Sequence, residues 1–232
     1  MMHALVSRSS RILFRGHARA LSSPATKDAI LLTGACGQVG CELLPYLRDI
    51  YGSHKVIASD VRQPDAATLE SGPFVHLDVT SAVHLERIIS EHGVGTIIHL
   101  AALLSATGER KLLTACCPHA PAGAACLTVS YTVLAAFAEN PQMALHINNA
   151  GVTNVLEAAR AHSLRVFSPS TIAVFGPSTP RENTPDSTVM RPTTMYGVTK
   201  VHLELLGEYY HSRCARMPTR LLPLVHSGYL PM

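Results

Sequence analysis

The 232-residue chain has no Trp, 5% aromatic residues and 15% charged residues against 47% apolar. So little charge beside so much apolar side chain excludes a self-repelling disordered polymer and suits one good-sized core; the length is too short to assume two full domains. No apolar run is long enough to cross a bilayer. The net charge is only +3, much of it from the first residues, so no footprint for nucleic acid is present. Metal and redox signatures are missing too. Six cysteines (36, 41, 116, 117, 126 and 214) include no CxxC pair, and the 13 histidines form neither HxxxH nor HExxH. That disfavours a zinc-dependent dehydrogenase, and we read the cysteines as reduced thiols.

Acids are absent at the start: none precedes Asp28, while Arg8, Arg11, Arg15, Arg19 and Lys27 sit among serines and an apolar side of Ile12, Leu13, Phe14 and Leu21. Residues 1–27 therefore read as a mitochondrial presequence, with a disordered basic tail as the plainer alternative. From residue 28 the chain alternates strand-like and helix-like stretches. Apolar runs at 29–33, 55–59, 74–77, 96–100 and 165–168 read as strands. Helical spacing covers 39–51, 83–92, 141–162 and about 196–210. This order implies α/β architecture with a Rossmann-type doubly wound parallel sheet. Residues 111–140 break the rhythm with Cys-Cys-Pro and Ala-Pro-Ala-Gly-Ala-Ala-Cys, and are expected to be an atypical insert. The tail 212–232 is also irregular. A sixth strand near residues 217–225 is conceivable, but Pro223 would remove a ladder donor from its middle.

Chemistry begins at the first strand–helix junction. Gly34-x-x-Gly37-x-x-Gly40 supplies a tight turn, room for a pyrophosphate and close helix–sheet packing, with Gln38 and Val39 offering helix N-terminal amides. Such a pattern alone can be a plain turn. Asp60 ends the second strand, where a carboxylate accepts the two ribose hydroxyls of NAD and repels a 2′-phosphate; Arg62 can soften that repulsion. Asp78, followed by Val79, ends the third strand. It suits either the adenine edge or a helix N-cap region, since Thr80 and Ser81 follow. Tyr196 and Lys200 stand four apart, hence on one helix face. An ammonium there stabilises a phenolate and lowers a pKa that is ordinarily about 10. The plainer reading is a surface pair. Ser170 and Thr171 follow the fifth strand at the carboxyl edge, where a hydroxyl can hold a substrate oxygen.

Thr33–Gly40 (TGxxGxxG), Asp60, the YxxxK pair and the upstream Ser/Thr resemble the extended short-chain dehydrogenase/reductases. Longer runs resemble the NAD-dependent L-threonine 3-dehydrogenases of that superfamily: Ser59-Asp-Val-Arg, Ser71-Gly-Pro-Phe-Val, His99-Leu-Ala-Ala-Leu-Leu-Ser105-Ala, Pro169-Ser-Thr-Ile-Ala-Val-Phe-Gly-Pro, and Arg191 through Tyr210. The match covers about residues 29–110 and 141–210. The resemblance implies oxidation of L-threonine to 2-amino-3-ketobutyrate in the mitochondrial matrix. It makes Tyr196 the base, Lys200 its partner, Thr171 the hydroxyl-orienting residue, and Ser105 with Ser170 substrate contacts. Asn148 becomes the supporting helix asparagine, and a homodimer through the helices bearing Asn148 and Tyr196 follows by the same resemblance. It further implies a substrate lobe beyond the last residues here, so this chain is expected to lack activity. A non-catalytic NAD-binding remnant and a sugar-nucleotide epimerase are the competing readings.

Overall fold

The computed structural model describes residues 27–104, 141–185, 187–213 and the strand at 220–222. Residues 1–26, 105–140, 186, 214–219 and 223–232 lie outside the described residues, and these include the whole of the expected insert 111–140 and all but residue 27 of the expected presequence. Six parallel strands form one sheet in the order β3-β2-β1-β4-β5-β6. They are β1 (Ala29–Thr33), β2 (Val56–Asp60), β3 (Phe74–His76), β4 (Val94–His99), β5 (Arg165–Pro169) and β6 (Arg220–Leu222). The helices are α1 (Gln38–Tyr51), α2 (Ala66–Glu70), α3 (Ala82–His92), α4 (Pro141–His162) and α5 (Met195–Arg213).

β1 and β2 are buried along their whole length, which is why their sequences read as continuous apolar runs rather than as alternation. Leu31 registers with Ile57 on one side and with Ile97 on the other. On one face of the sheet, Leu44 and Leu47 of α1 pack with Ile30, Leu32, Val56 and Ala58. On the opposite face α3, α4 and α5 bury Leu85, Ile88, Val155, Leu156 and Leu203 against Leu31, Ile57, Ile97 and Val166. Each fully buried leucine or isoleucine contributes about 1.5–3 kcal/mol relative to exposure.

The ends of the elements follow local chemistry. Ser81 caps α3 through its side chain, and Gly93 closes that helix at φ +61°. The short α2 begins at Asp65, whose carboxylate accepts from the Thr68 N–H. Arg48, buried on α1, donates to the carbonyls of Thr68 (2.9 Å) and Pro73 (2.6 Å) and to Ser71 Oγ, tying the α2–β3 loop down.

Two details depart from the sequence reading. α2 is too short for periodicity to reveal. β6 falls within 212–232: it pairs with β5 in the register Ser168↔Leu221 and stops at Leu222, so Pro223 lies just past the strand and costs it no ladder donor.

Between β1 and β4 the strand order reverses. The crevice outside their carboxyl ends is the general ligand position of a doubly wound sheet.

Candidate functional site: a dinucleotide edge beside a Tyr-Lys pair

The glycine loop leaves β1 at that crevice. Gly34 has φ +73°, and a Cβ there would lie 2.7 Å from Ala101 N, so the β1 and β4 loops cross at a distance only glycine allows. At Gly40 a Cβ would come within 2.3 Å of Gly34 O, which is the close helix–strand packing the third glycine provides. Gly37 differs: its Cβ would meet only Gly34 O at 3.1 Å and Arg62 at 3.7 Å, an opening onto the crevice. α1 starts at Gly37 with no side-chain cap and no acid in its first turn. Its N-terminal amides, around Gln38 and the exposed Val39, thus form an electropositive end suited to a pyrophosphate.

Asp60 ends β2 at 6% exposure. Its Oδ2 accepts from the Cys36 N–H at 3.0 Å, and its Oδ1 accepts from the Arg62 N–H at 3.0 Å and from Arg62 Nε at 3.3 Å. The carboxylate therefore joins the glycine loop to the β2 tip. Burial pushes the Cys36 thiol up to about 12, and the Asp60 charge adds to this, so Cys36 stays protonated. Burial opposes the charge of Arg62, yet the Asp60 bond and charge outweigh it and raise the guanidinium above its ordinary value. Asp78 is exposed at the end of β3, and its Oδ1 accepts from both Thr80 N–H (2.9 Å) and Thr80 Oγ1 (2.7 Å). It makes a local turn ahead of the Ser81 cap, with Val79 buried beside it.

Lys200 is 6% exposed on α5, and its Nζ donates to Pro169 O at 3.0 Å, at the carboxyl end of β5. The same ammonium lies 5.6 Å from the centre of the Tyr196 ring. Burial lowers the Lys200 pKa to about 8, with Glu204 pulling it back up. Thr171 follows β5 and its Oγ1 accepts from the Ala173 N–H at 3.2 Å, opening a short 3-10 turn. Ser170, by contrast, is buried and donates to Glu204 of α5 through a short hydrogen bond. Its hydroxyl is committed to the scaffold. Ser105 lies outside the described residues.

Asn148 holds the loop after β4. Its Nδ2 also donates to Thr199 Oγ1 at 3.0 Å, and Thr199 donates to the Tyr196 carbonyl at 2.8 Å. One polar chain thus links the β4 loop to the backbone under the tyrosine. His99, at the end of β4, carries no role in the sequence reading, although it begins the run His99–Ala106. It is fully enclosed, bonds Thr33 Oγ1 through Nδ1 at 2.9 Å and borders a small cavity with Asn148, Thr199 and Lys200. A histidine at the tip of a buried strand, one residue before the loop that faces the crevice, was the available signal.

The sheet order, the glycine loop and the Tyr196–Lys200 pair define a dinucleotide-dependent short-chain enzyme fold. The chain belongs to the NAD dependent epimerase/dehydratase family, whose pattern matches residues 30–114 and 126–229. The break at 115–125 falls inside the stretch expected to be inserted.

Uncharacterized epimerase/dehydratases of Staphylococcus saprophyticus and Staphylococcus aureus are each 40% identical over 185 residues, 79% of this chain and 49% of theirs. The chain therefore spans about half the length of the curated relatives it matches. Among solved structures, L-threonine dehydrogenase from Phytophthora infestans is 42% identical with a TM-score of 0.67, covering 88% of this chain and 56% of that one. L-threonine dehydrogenase from Clostridium difficile is 39% identical with a TM-score of 0.68, covering 85% and 53%. A UDP-glucose 4-epimerase from Thermotoga maritima shares the fold at 21% identity and a TM-score of 0.63, covering 84% and 54%.

Proposed function

We propose that this chain is the NAD-binding portion of an L-threonine 3-dehydrogenase-type protein. The observation that carries the reading is the meeting, at one sheet edge, of the Gly34–Gly40 loop with Asp60 and of Tyr196 beside a buried Lys200. The long runs shared with threonine dehydrogenases support that substrate over a sugar nucleotide, since likeness to the UDP-glucose epimerase extends to the fold alone.

When bound, NAD supplies the hydride acceptor. Gly37 and the α1 amides would hold its pyrophosphate, Asp60 its adenosine ribose and Lys200 its nicotinamide ribose. Tyr196 takes the proton of the substrate's 3-hydroxyl, and the Lys200 ammonium stabilises the phenolate that does so. Thr171 presents a hydroxyl to the same oxygen. Arg62 and Asp78 border the adenosine end.

Residues 1–232 answer to about half the length of their relatives, and a substrate held by part of its contacts is poorly oriented. We expect this stretch alone to turn threonine over at least about 100-fold more slowly than the Phytophthora enzyme. Matrix targeting by residues 1–27 and pairing of two copies through α4 and α5 belong to the same proposal. The first is tested by fusing residues 1–27 to a fluorescent protein, the second by light scattering.

The direct test of function is NADH formation with L-threonine by wild type and Tyr196→Phe. Fast turnover abolished by the substitution would overturn the expectation of slow chemistry. Turnover unaffected by it would overturn the assignment of the base.

A further inference from the structure

Lys200 is buried among groups from four elements, and one of them has no part in the chemistry above. Pro169 O of β5 accepts its hydrogen bond, Asn148 of α4 and Thr199 of α5 flank it, and His99 of β4 closes the inner side of the same small cavity. The imidazole cannot swing away. Nδ1 is bonded to Thr33 Oγ1 at 2.9 Å, and Thr33 Oγ1 is itself held by the Ala101 N–H at 3.4 Å. The His99 carbonyl accepts from Ser168 Oγ at 3.1 Å. Across the ring, α4 passes with Gly151, where a Cβ would lie at ordinary van der Waals distance, 3.8 Å, from the His99 Cε1.

We propose that His99 is a positioning residue for Lys200: an immobilised neutral imidazole that walls water from the ammonium and holds it between Pro169 O and the Tyr196 ring. This rests on the reading of Tyr196 and Lys200 given above, but not on turnover.

Neutrality of the wall follows from its setting. Burial, and then the Lys200 charge, push His99 down to about 3, so ring and ammonium do not repel at working pH. The groups facing Lys200 are His99 from β4, Glu204 and Tyr196 from α5, the neutral Asn148 from α4 and the Pro169 carbonyl from β5. Glu204 raises the lysine pKa; exclusion of water lowers it to about 8. Opening the wall should therefore release Lys200 toward its ordinary value of about 10.4.

The chain has four lysines (27, 55, 111 and 200), so the side-chain 13Cε resonance of Lys200 can be followed through a pH titration of the whole protein and assigned with Lys200→Arg. His99→Ala should move the Lys200 midpoint upward by at least about one pH unit, whereas His99→Phe, which restores a wall without nitrogens, should leave it near 8. If His99→Ala does not fold, Thr33→Val, which frees the ring without removing it, should give a smaller shift in the same direction. An unmoved midpoint in the folded variants, or an equal shift in His99→Phe and His99→Ala, overturns the proposal. The titration needs neither NAD nor threonine, so its failure is distinct from failure of the enzymatic reading.

Discussion

Asn148 and Leu103 bond each other in both directions: the Leu103 N–H donates to Asn148 Oδ1 at 2.7 Å, and Asn148 Nδ2 donates to the Leu103 carbonyl at 2.9 Å. A side-chain amide has completed a backbone-like pair, fixing the loop after β4 to α4. Because Asn148 is 5% exposed, its loss strands polar groups away from water. Asn148→Ala should lower stability by about 2 kcal/mol. It should also loosen the β4 loop. Urea unfolding measures the first effect, and faster amide exchange at Leu103 the second.

The three loop glycines should respond differently to alanine. At Gly40 the added carbon meets backbone at 2.3 Å, so Gly40→Ala should disrupt the β1–α1 junction and cost several kcal/mol. Gly34→Ala faces both a positive φ and a 2.7 Å contact and should also be severe. Gly37→Ala meets its nearest atom at 3.1 Å and should fold close to normally while losing cofactor affinity. Thermal unfolding with and without NAD separates the three.

The buried titratable groups predict a pH profile. Lys200 titrates near 8 in the folded chain, below its value of about 10.4 when unfolded, so the unfolded state holds more protons between these limits. Stability should therefore rise as pH climbs from about 8 to 10.4, by up to about 2–3 kcal/mol from this group. Lys200→Met should remove that rise. His99 acts in the acid range. Its folded value of about 3 lies below the unfolded 6.5, so stability should fall as pH drops from 6.5 toward 3. His99→Phe should flatten that limb. Urea midpoints across pH 4–10 give both slopes.

Most of the sheet was legible because parallel strands buried on both faces leave uninterrupted apolar runs. Ala29–Thr33 was found at its observed limits for that reason, and the helix Pro141–His162 at its own because its apolar residues recur at helical spacing. Two elements were not legible. Five residues of α2 are fewer than two turns, and their stop depends on Arg48 reaching across from α1. The strand Arg220–Leu222 has only three residues, set just before a proline that argued against it. In the site, the glycine loop, Asp60 and the Tyr196–Lys200 spacing were readable because each is local in sequence. The commitment of Ser170 to Glu204, 34 residues away, and the enclosure of His99 against Lys200 depend on tertiary packing, which no local pattern records.

Asp60 binds the glycine loop, and in the proposed function it also holds the adenosine ribose. Asp60→Ala should release the Cys36 N–H and the Arg62 guanidinium together, lowering NAD affinity at least about tenfold, or about 1.4 kcal/mol. Asp60→Asn keeps an acceptor for one of these bonds and should lose less. Fluorescence titration with NADH compares them.

The central claim is that the Gly34–Gly40 loop and Asp60 form a working NAD site in this chain. Isothermal titration of NAD into the purified 232-residue protein tests it most directly. Saturable binding at one site per chain, lost in Gly37→Ala although that variant remains folded, is the expected result. A folded wild-type chain that gives no heat of binding, or a Gly37→Ala variant that binds as wild type, would contradict it.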